Sequence, residues 1–324
     1  MTKKENFDSV HERTKRKLVR DMGPVLLEAL QDPMTIEVML NPGGKLWQEK
    51  LGEPQKCIGT LREAQAQAII ENVAGFHRKI VTRDESLLEG EFPLDGSRFA
   101  GQLPPTVTSP TFAIRKKASK IFALTEYVRA GVMTEAQKEK LEWAVKNHRN
   151  ILVVGGTGSG KTTLVNAIIH EMVEENPIER LIIIEDTGEI QCAAENHVQY
   201  HTSISVDMTM LLRTTLRMRP DRILVGEVRG EEALDLLDAW NTGHPGGVAT
   251  LHANSAGEGL SRLKSLVSRN KSAPAEIEPL IAEAVHVLVF ITKVNGKEVR
   301  QVRRVQEIIE VSGYRNGEYQ TSKL

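Results

Sequence analysis

The sequence predicts an α/β protein in which a parallel sheet flanked by helices follows a smaller α+β region. The chain has 324 residues, enough for two units that each bury a core of their own. From residue 151 onward, short β-branched runs alternate with segments of helical periodicity, the pattern of strand-helix-strand crossovers. The first of these runs leads directly into a glycine-rich loop and then a helix.

Residues 1–20 set Lys3, Lys4, Arg13, Lys15, Arg16, Lys17 and Arg20 against Glu5, Asp8 and Glu12. This reads as a charged helical lead-in, either solvated or resting on anionic lipid. Residues 21–117 form the predicted α+β domain, with strands at Ile36–Leu40, Phe99–Leu103 and Thr111–Arg115. A helix over Leu61–Gly75 follows from the spacing of Ala64, Ala68, Ile69 and Asn72. Turns are signalled at Asn41-Pro42-Gly43-Gly44 and Pro104-Pro105.

Residues 118–132, with Ile121, Phe122, Leu124 and Tyr127, read as a linker, and residues 133–324 as the second domain. Thr134-x-x-Gln137 resembles a capping box and opens a helix through Val145. Strands then fall at Ile151–Val154, Leu181–Ile184, Ile223–Val225 and Val248–Leu251. Helices start at Lys161, near Met208–Met218 and at Glu231.

Composition excludes several classes. Lys plus Arg (42) and Asp plus Glu (43) nearly cancel, so the molecule as a whole has no attraction to a polyanion, and direct sequence-specific nucleic-acid binding is not expected. Cys57 and Cys192 cannot build a disulfide framework or a cysteine zinc site. Runs such as Ile151–Val154 and Val287–Ile291 fall far short of the roughly 20 apolar residues of a membrane helix, and the N-terminus lacks a signal-peptide core. A cytoplasmic location with at most peripheral membrane contact is expected.

Gly155-Gly156-Thr157-Gly158-Ser159-Gly160-Lys161-Thr162 fits the phosphate-loop pattern in full. An apolar strand precedes it, and Leu164, Ile168 and Met172 mark a helix face behind it. Backbone N–H groups can meet phosphate oxygens only where no Cβ obstructs them. Residues Gly155 to Thr162, with Thr163, are therefore the expected ATP-binding run. Lys161 would reach the β- and γ-phosphates and Thr162 Oγ would ligate Mg²⁺.

Three further constellations follow. Leu181–Ile184 delivers Glu185, Asp186 and Glu189 at a strand end, where ligands sit in open α/β sheets. Arg222–Val225 ends in Gly226-Glu227, with glycine where many phosphate-loop enzymes carry a metal-binding Asp. Glu185 could then serve the Mg²⁺ through water and Glu227 polarise the attacking water, although which acid is the base stays open. Residues 242–254 place His244 and His252 at the two ends of a glycine-rich turn and strand. Each is either a neutral cap or, for His252, a hydrogen-bond partner of the γ-phosphate.

Taken together, these four motifs resemble the secretion ATPases of type II, type IV and pilus systems. Asp95–Phe99, Phe112–Lys117, Leu216–Asp221 and Asn241–Gly247 resemble, within them, the TrbB-type conjugal transfer ATPases of type IV secretion. The resemblance implies an N-terminal α+β domain, a RecA-like ATPase domain, and a homohexamer with nucleotide between the domains, working with inner-membrane secretion or conjugation components. It also implies that Arg98 and Arg115 reach the phosphates, a task that suits the permanently charged, two-pronged guanidinium. Taken alone, both arginines read as surface or sheet-edge residues. Arg217, Arg219 and Arg229 either reach a neighbouring subunit or pair with Glu231 and Glu232. Ile121 and Phe122 either line an adenine pocket or pack in the core.

A four-cysteine zinc element and an Ala-Ile-Arg-Asn-Leu signature, features of related pilus and type II enzymes, are both absent from the sequence. That favours the conjugation branch over a type II or pilus ATPase. A nucleic-acid translocase or a nucleotide-dependent assembly factor remain the other readings.

Overall fold

The computed structural model of the chain describes residues 3–50, 53–117, 121–203, 205–295 and 301–323, with backbone alone for 3–10, 295 and 301. Two units partition the chain, Met1–Ser119 and Lys120–Leu324.

In the first unit, α1 (Lys3–Gln31) bends at Gly23 (φ 68°) and Pro24, where glycine supplies the positive φ and proline lacks an N–H. Leu18, Met22, Leu26, Ala29 and Leu30 form its buried stripe. β1 (Thr35–Leu40), β2 (Lys45–Lys50) and β3 (Lys56–Thr60) are followed by α2 (Glu63–Phe76), then β4 (Leu87–Glu91), β5 (Arg98–Gln102) and β6 (Thr111–Arg115). The six strands order as β3-β2-β1-β6-β5-β4, every pairing antiparallel.

One face of this sheet packs Val38, Leu40, Leu46, Phe99, Phe112 and Ile114 against the two helices. The Phe92, Phe99 and Phe112 rings stack at successive centroid distances of 5.8 Å. Because strand side chains alternate, the other face receives a transverse row. Glu91, Arg98, Arg115 and Glu37 stand opposite one another across β4, β5, β6 and β1.

The second unit opens with α3 (Leu124–Arg129) and α4 (Glu135–Lys146). Residues 118–120 of the predicted linker lie outside the described residues, and α3 shows that part of the remainder is helical. The capping box at Thr134 is present: its side chain accepts from the Gln137 N–H, and Gln137 Oε1 accepts from the Thr134 N–H at 2.9 Å. There follow β7 (Ile151–Val154), α5 (Lys161–Glu175), β8 (Leu181–Glu185), β9 (His197–His201), α6 (Met208–Thr215) and β10 (Arg222–Val225). The unit ends with α7 (Glu232–Asn241), β11 (Val248–Leu251), α8 (Ala256–Val267), α9 (Ile277–Ala284), β12 (Val287–Asn295), β13 (Gln301–Arg315) and β14 (Glu318–Lys323).

Its sheet runs β14-β13-β12-β7-β11-β10-β8-β9. The six strands from β12 to β9 are parallel, and the β13–β14 hairpin extends them antiparallel. Both faces are covered, as parallel sheets require. Ile151, Val153, Ile183 and Val289 pack with α4 and α5 residues, while Leu152, Val154, Ile184 and Val225 pack with α6 to α9. The α/β expectation holds. Among the described residues, no helix is long and apolar enough to cross a membrane.

Candidate active site

The parallel arrangement gathers the C-terminal ends of β7, β8, β10 and β11 at one edge of the sheet, so the loops that follow them converge. The phosphate loop leaves β7 there. A Cβ at Gly155 would lie 2.2 Å from the Ile291 carbonyl oxygen and 2.6 Å from Ser159 Oγ, so no side chain is tolerated. Gly158 (φ 67°) and Gly160 (φ 99°) occupy the left-handed region, and Gly160 is the residue from which α5 starts. Ser159 Oγ is buried without a hydrogen-bond partner among the described residues. This open cradle at a helix N-terminus fits a polyphosphate.

Lys161, the first residue of α5, is buried and donates to the carbonyls of Gly155 (2.9 Å) and Gly156 (3.0 Å). Its Nζ lies 3.4 Å from His252 Nε2. His252 Nε2 lies 2.8 Å from Glu227 Oε1, a close approach that is not directed as a hydrogen bond, and Oε1 is buried with no donor of its own. Arg229 clasps Glu227 Oε2 and reaches Asp186 Oδ2 at 2.9 Å. One chain of contacts thus links Lys161, His252, Glu227, Arg229 and Asp186. Burial, then the Lys161 charge, hold His252 below its ordinary pKa and favour the neutral ring, against the opposing pull of Glu227.

Glu185, expected to serve the Mg²⁺ through water, has protein partners on both carboxylate oxygens. Its Oε2 accepts from the Glu189 (2.8 Å) and Ile190 (3.0 Å) N–H groups, and its Oε1 faces Gln199 Nε2 and His201 Nε2, the latter at 3.5 Å. Glu185, buried at the end of β8, therefore pins the 186–190 turn and β9. Nothing in the sequence marks Gln199 and His201 as its partners.

Gly226 has a packing cause: a Cβ there would lie 2.8 Å from Glu185 Cβ. The glycine lets β10 close on β8, and it leaves Glu227 as the acid that β10 delivers.

His244 and His252 are separated by the strand between them. His252 follows the C-terminal end of β11 beside Lys161, whereas His244 precedes the strand at the opposite edge, with its Nδ1 3.0 Å from the Pro220 carbonyl oxygen. Arg229 pairs with Glu227 and Asp186 rather than through its side chain with Glu231 or Glu232; only its backbone N–H reaches Glu232, at 2.7 Å. Arg217 and Arg219 are exposed. Phe122 packs edge-on to Tyr127 at 6.4 Å. In the N-terminal unit, Arg98 and Arg115 are direct cross-strand neighbours.

Thr162 and Thr163 occupy the first turn of α5, half-buried. Among the described residues, no cluster of three His, Cys, Asp or Glu could hold a metal by itself. A Mg²⁺ that takes most of its ligands from phosphates and water needs no such cluster, and the Thr162 hydroxyl fits that role.

The model of the type II/IV secretion system protein family matches residues 89–313. The chain belongs to this family. With its phosphate loop complete, it is a nucleotide-binding, ATP-hydrolysing member. Conjugal transfer protein TrbB of Rhizobium radiobacter is 48% identical over 311 residues, covering 96% of this chain and 94% of that protein. Protein VirB11 of Agrobacterium fabrum is 33% identical over 301 residues, covering 82% of this chain and 86% of that protein. Among solved structures, the Legionella pneumophila ATPase DotB shares the fold with a TM-score of 0.60 at 20% identity, covering 86% of this chain and 77% of that one.

Proposed function

We propose that the chain is a Mg²⁺-dependent ATPase that assembles as a homohexamer and energises type IV secretion or conjugal transfer, in pilus assembly or DNA-substrate movement. Its domains are residues 21–117 and 133–324, and its partners are inner-membrane components that it meets from the cytoplasm. The carrying observation is the continuous contact from Lys161 through His252 to Glu227 at the mouth of the phosphate loop.

In this reading the N–H groups of residues 155–163 bind the phosphates, and Lys161 exchanges its loop carbonyls for phosphate oxygens. Glu227 positions the attacking water and takes its proton, with Arg229 fixing the carboxylate. The neutral His252, between Lys161 and Glu227, carries the presence of the γ-phosphate to the base. Thr162 would hold Mg²⁺, which would supply charge neutralisation when bound. Glu185 acts by holding the turn beside the site. Arg98 and Arg115 supply phosphate charge from the N-terminal domain, a role supported by their likeness to the family motifs. Conjugal transfer is the activity most in keeping with the name of the TrbB relative.

The test is Mg²⁺-dependent turnover measured against protein concentration, with molecular mass recorded alongside. Turnover that rises with hexamer assembly, disappears in Lys161→Ala and falls about 10²–10⁴-fold in Glu227→Gln supports the proposal. Tight ATP binding without turnover in any oligomer would overturn it in favour of an assembly factor. Arg98→Ala and Arg115→Ala should each lower turnover while leaving the mass unchanged.

A further inference from the structure

We propose that Lys293 and Arg303 are additional nucleotide-binding residues, which hold the α- and β-phosphates common to ATP and ADP. This inference rests on the nucleotide reading given above. The two residues stand directly opposite each other on β12 and β13. Both side chains lie against the phosphate loop. A Cβ on Gly158 would meet Lys293 Nζ at 3.1 Å and Cε at 3.4 Å, and one on Gly160 would meet Arg303 Cδ at 2.9 Å and Nε at 3.3 Å.

Like charges directly across a ladder are unfavourable. Here they also go uncompensated: among the described residues neither side chain pairs with a carboxylate, and Arg303 Nε is buried without a hydrogen-bond partner. Two unneutralised cations set against alternate glycines of a phosphate cradle fit an anion bound in that cradle.

The sheet order gives them their task. β7 lies between β11 and β12, so His252 and Glu227 approach the loop from one side and Lys293 and Arg303 from the other. The loop N–H groups beside them are those that cradle the α- and β-phosphates. The pair should therefore act on affinity for ATP and ADP alike, separately from the acid that drives hydrolysis.

Calorimetric titration of the full-length protein with ADP and Mg²⁺ tests this. Lys293→Met, which changes an exposed side chain, and Arg303→Met should each weaken ADP binding by about tenfold or more, the effect of losing one charged hydrogen bond. KM for ATP should rise in step, and log Kd should depend less steeply on log salt. Arg303→Lys should restore part of the affinity. Unchanged ADP affinity in Lys293→Met overturns the proposal, as does a loss matched by a lower Tm without nucleotide. If the wild type fails to bind ADP, or Lys161→Ala binds it equally well, the nucleotide reading itself has failed.

Discussion

Replacing Arg222 by Met should cost the ATPase unit about 3–5 kcal/mol, the penalty for leaving a buried carboxylate without its cation. Arg222 opens β10 and is fully buried. Its guanidinium donates to Glu179 at 2.5 and 3.4 Å and to the carbonyls of Gly246 and Val145, each at 3.1 Å. Met fills much of the space but donates nothing, which leaves Glu179 with His148 at 2.8 Å and Asn176 at 3.1 Å. Burial raises the Glu179 carboxyl, yet the Arg222 hydrogen bonds and charge outweigh it and hold the group below its ordinary 4.5. A carboxyl lowered by folding contributes stability above that ordinary value and loses it as pH falls through the folded one; Arg222→Met should remove this dependence.

For a unit of this size, 1 kcal/mol moves Tm by about 2–4 °C. A fall of roughly 6–20 °C is therefore expected by circular dichroism or calorimetry. Adding Glu179→Gln should recover much of the loss, because an uncharged amide no longer needs the cation. ADP affinity in the cold should be retained, since Arg222 and the phosphate loop occupy opposite edges of the parallel sheet. A Tm within about 2 °C of wild type, or strict additivity in the double variant, would refute the assignment of this ion pair as a keystone of the fold.

Gly226→Ala should drive β10 against Glu185, lowering stability by about 1–3 kcal/mol in urea unfolding and reducing turnover by shifting Glu227. Turnover at the wild-type level would show that the strand end has room to give. Glu185→Gln should lower Tm while the Mg²⁺ concentration for half-maximal activity stays constant; a raised Mg²⁺ requirement would return this residue to the metal. His252, lowered from 6.5, should contribute stability that is complete above that value and is lost as pH falls through its folded pKa. Activity should decline over the same acidic limb, and His252→Gln should remove that limb from the pH profile.

Much of the ATPase unit is legible because its strands are buried on both faces. Such strands read as continuous β-branched runs, and Ile151–Val154 and Val248–Leu251 fall where expected. The edge strands β9 (His197–His201) and β3 (Lys56–Thr60) carry no comparable run and leave little trace. No comparable signal marks β13 and β14, also toward an edge, and the pairing of β13 with β12 is what brings Arg303 to the loop.

The sequence by itself determined the nucleotide chemistry, because a phosphate loop is local: its glycines, Lys161 and Thr162 are neighbours along the chain. It also determined the α/β class, through the alternation of strand and helix periodicities. Tertiary structure alone decided which acid meets which base. Glu185 and Glu227 both end buried parallel strands, and only the packing of β9 against β8 brings Gln199 and His201 to Glu185 while β11 brings His252 to Glu227. Register likewise set Arg98 beside Arg115 and Lys293 beside Arg303. Such pairings depend on contacts between residues distant in sequence, whose partners no local pattern of residues can name.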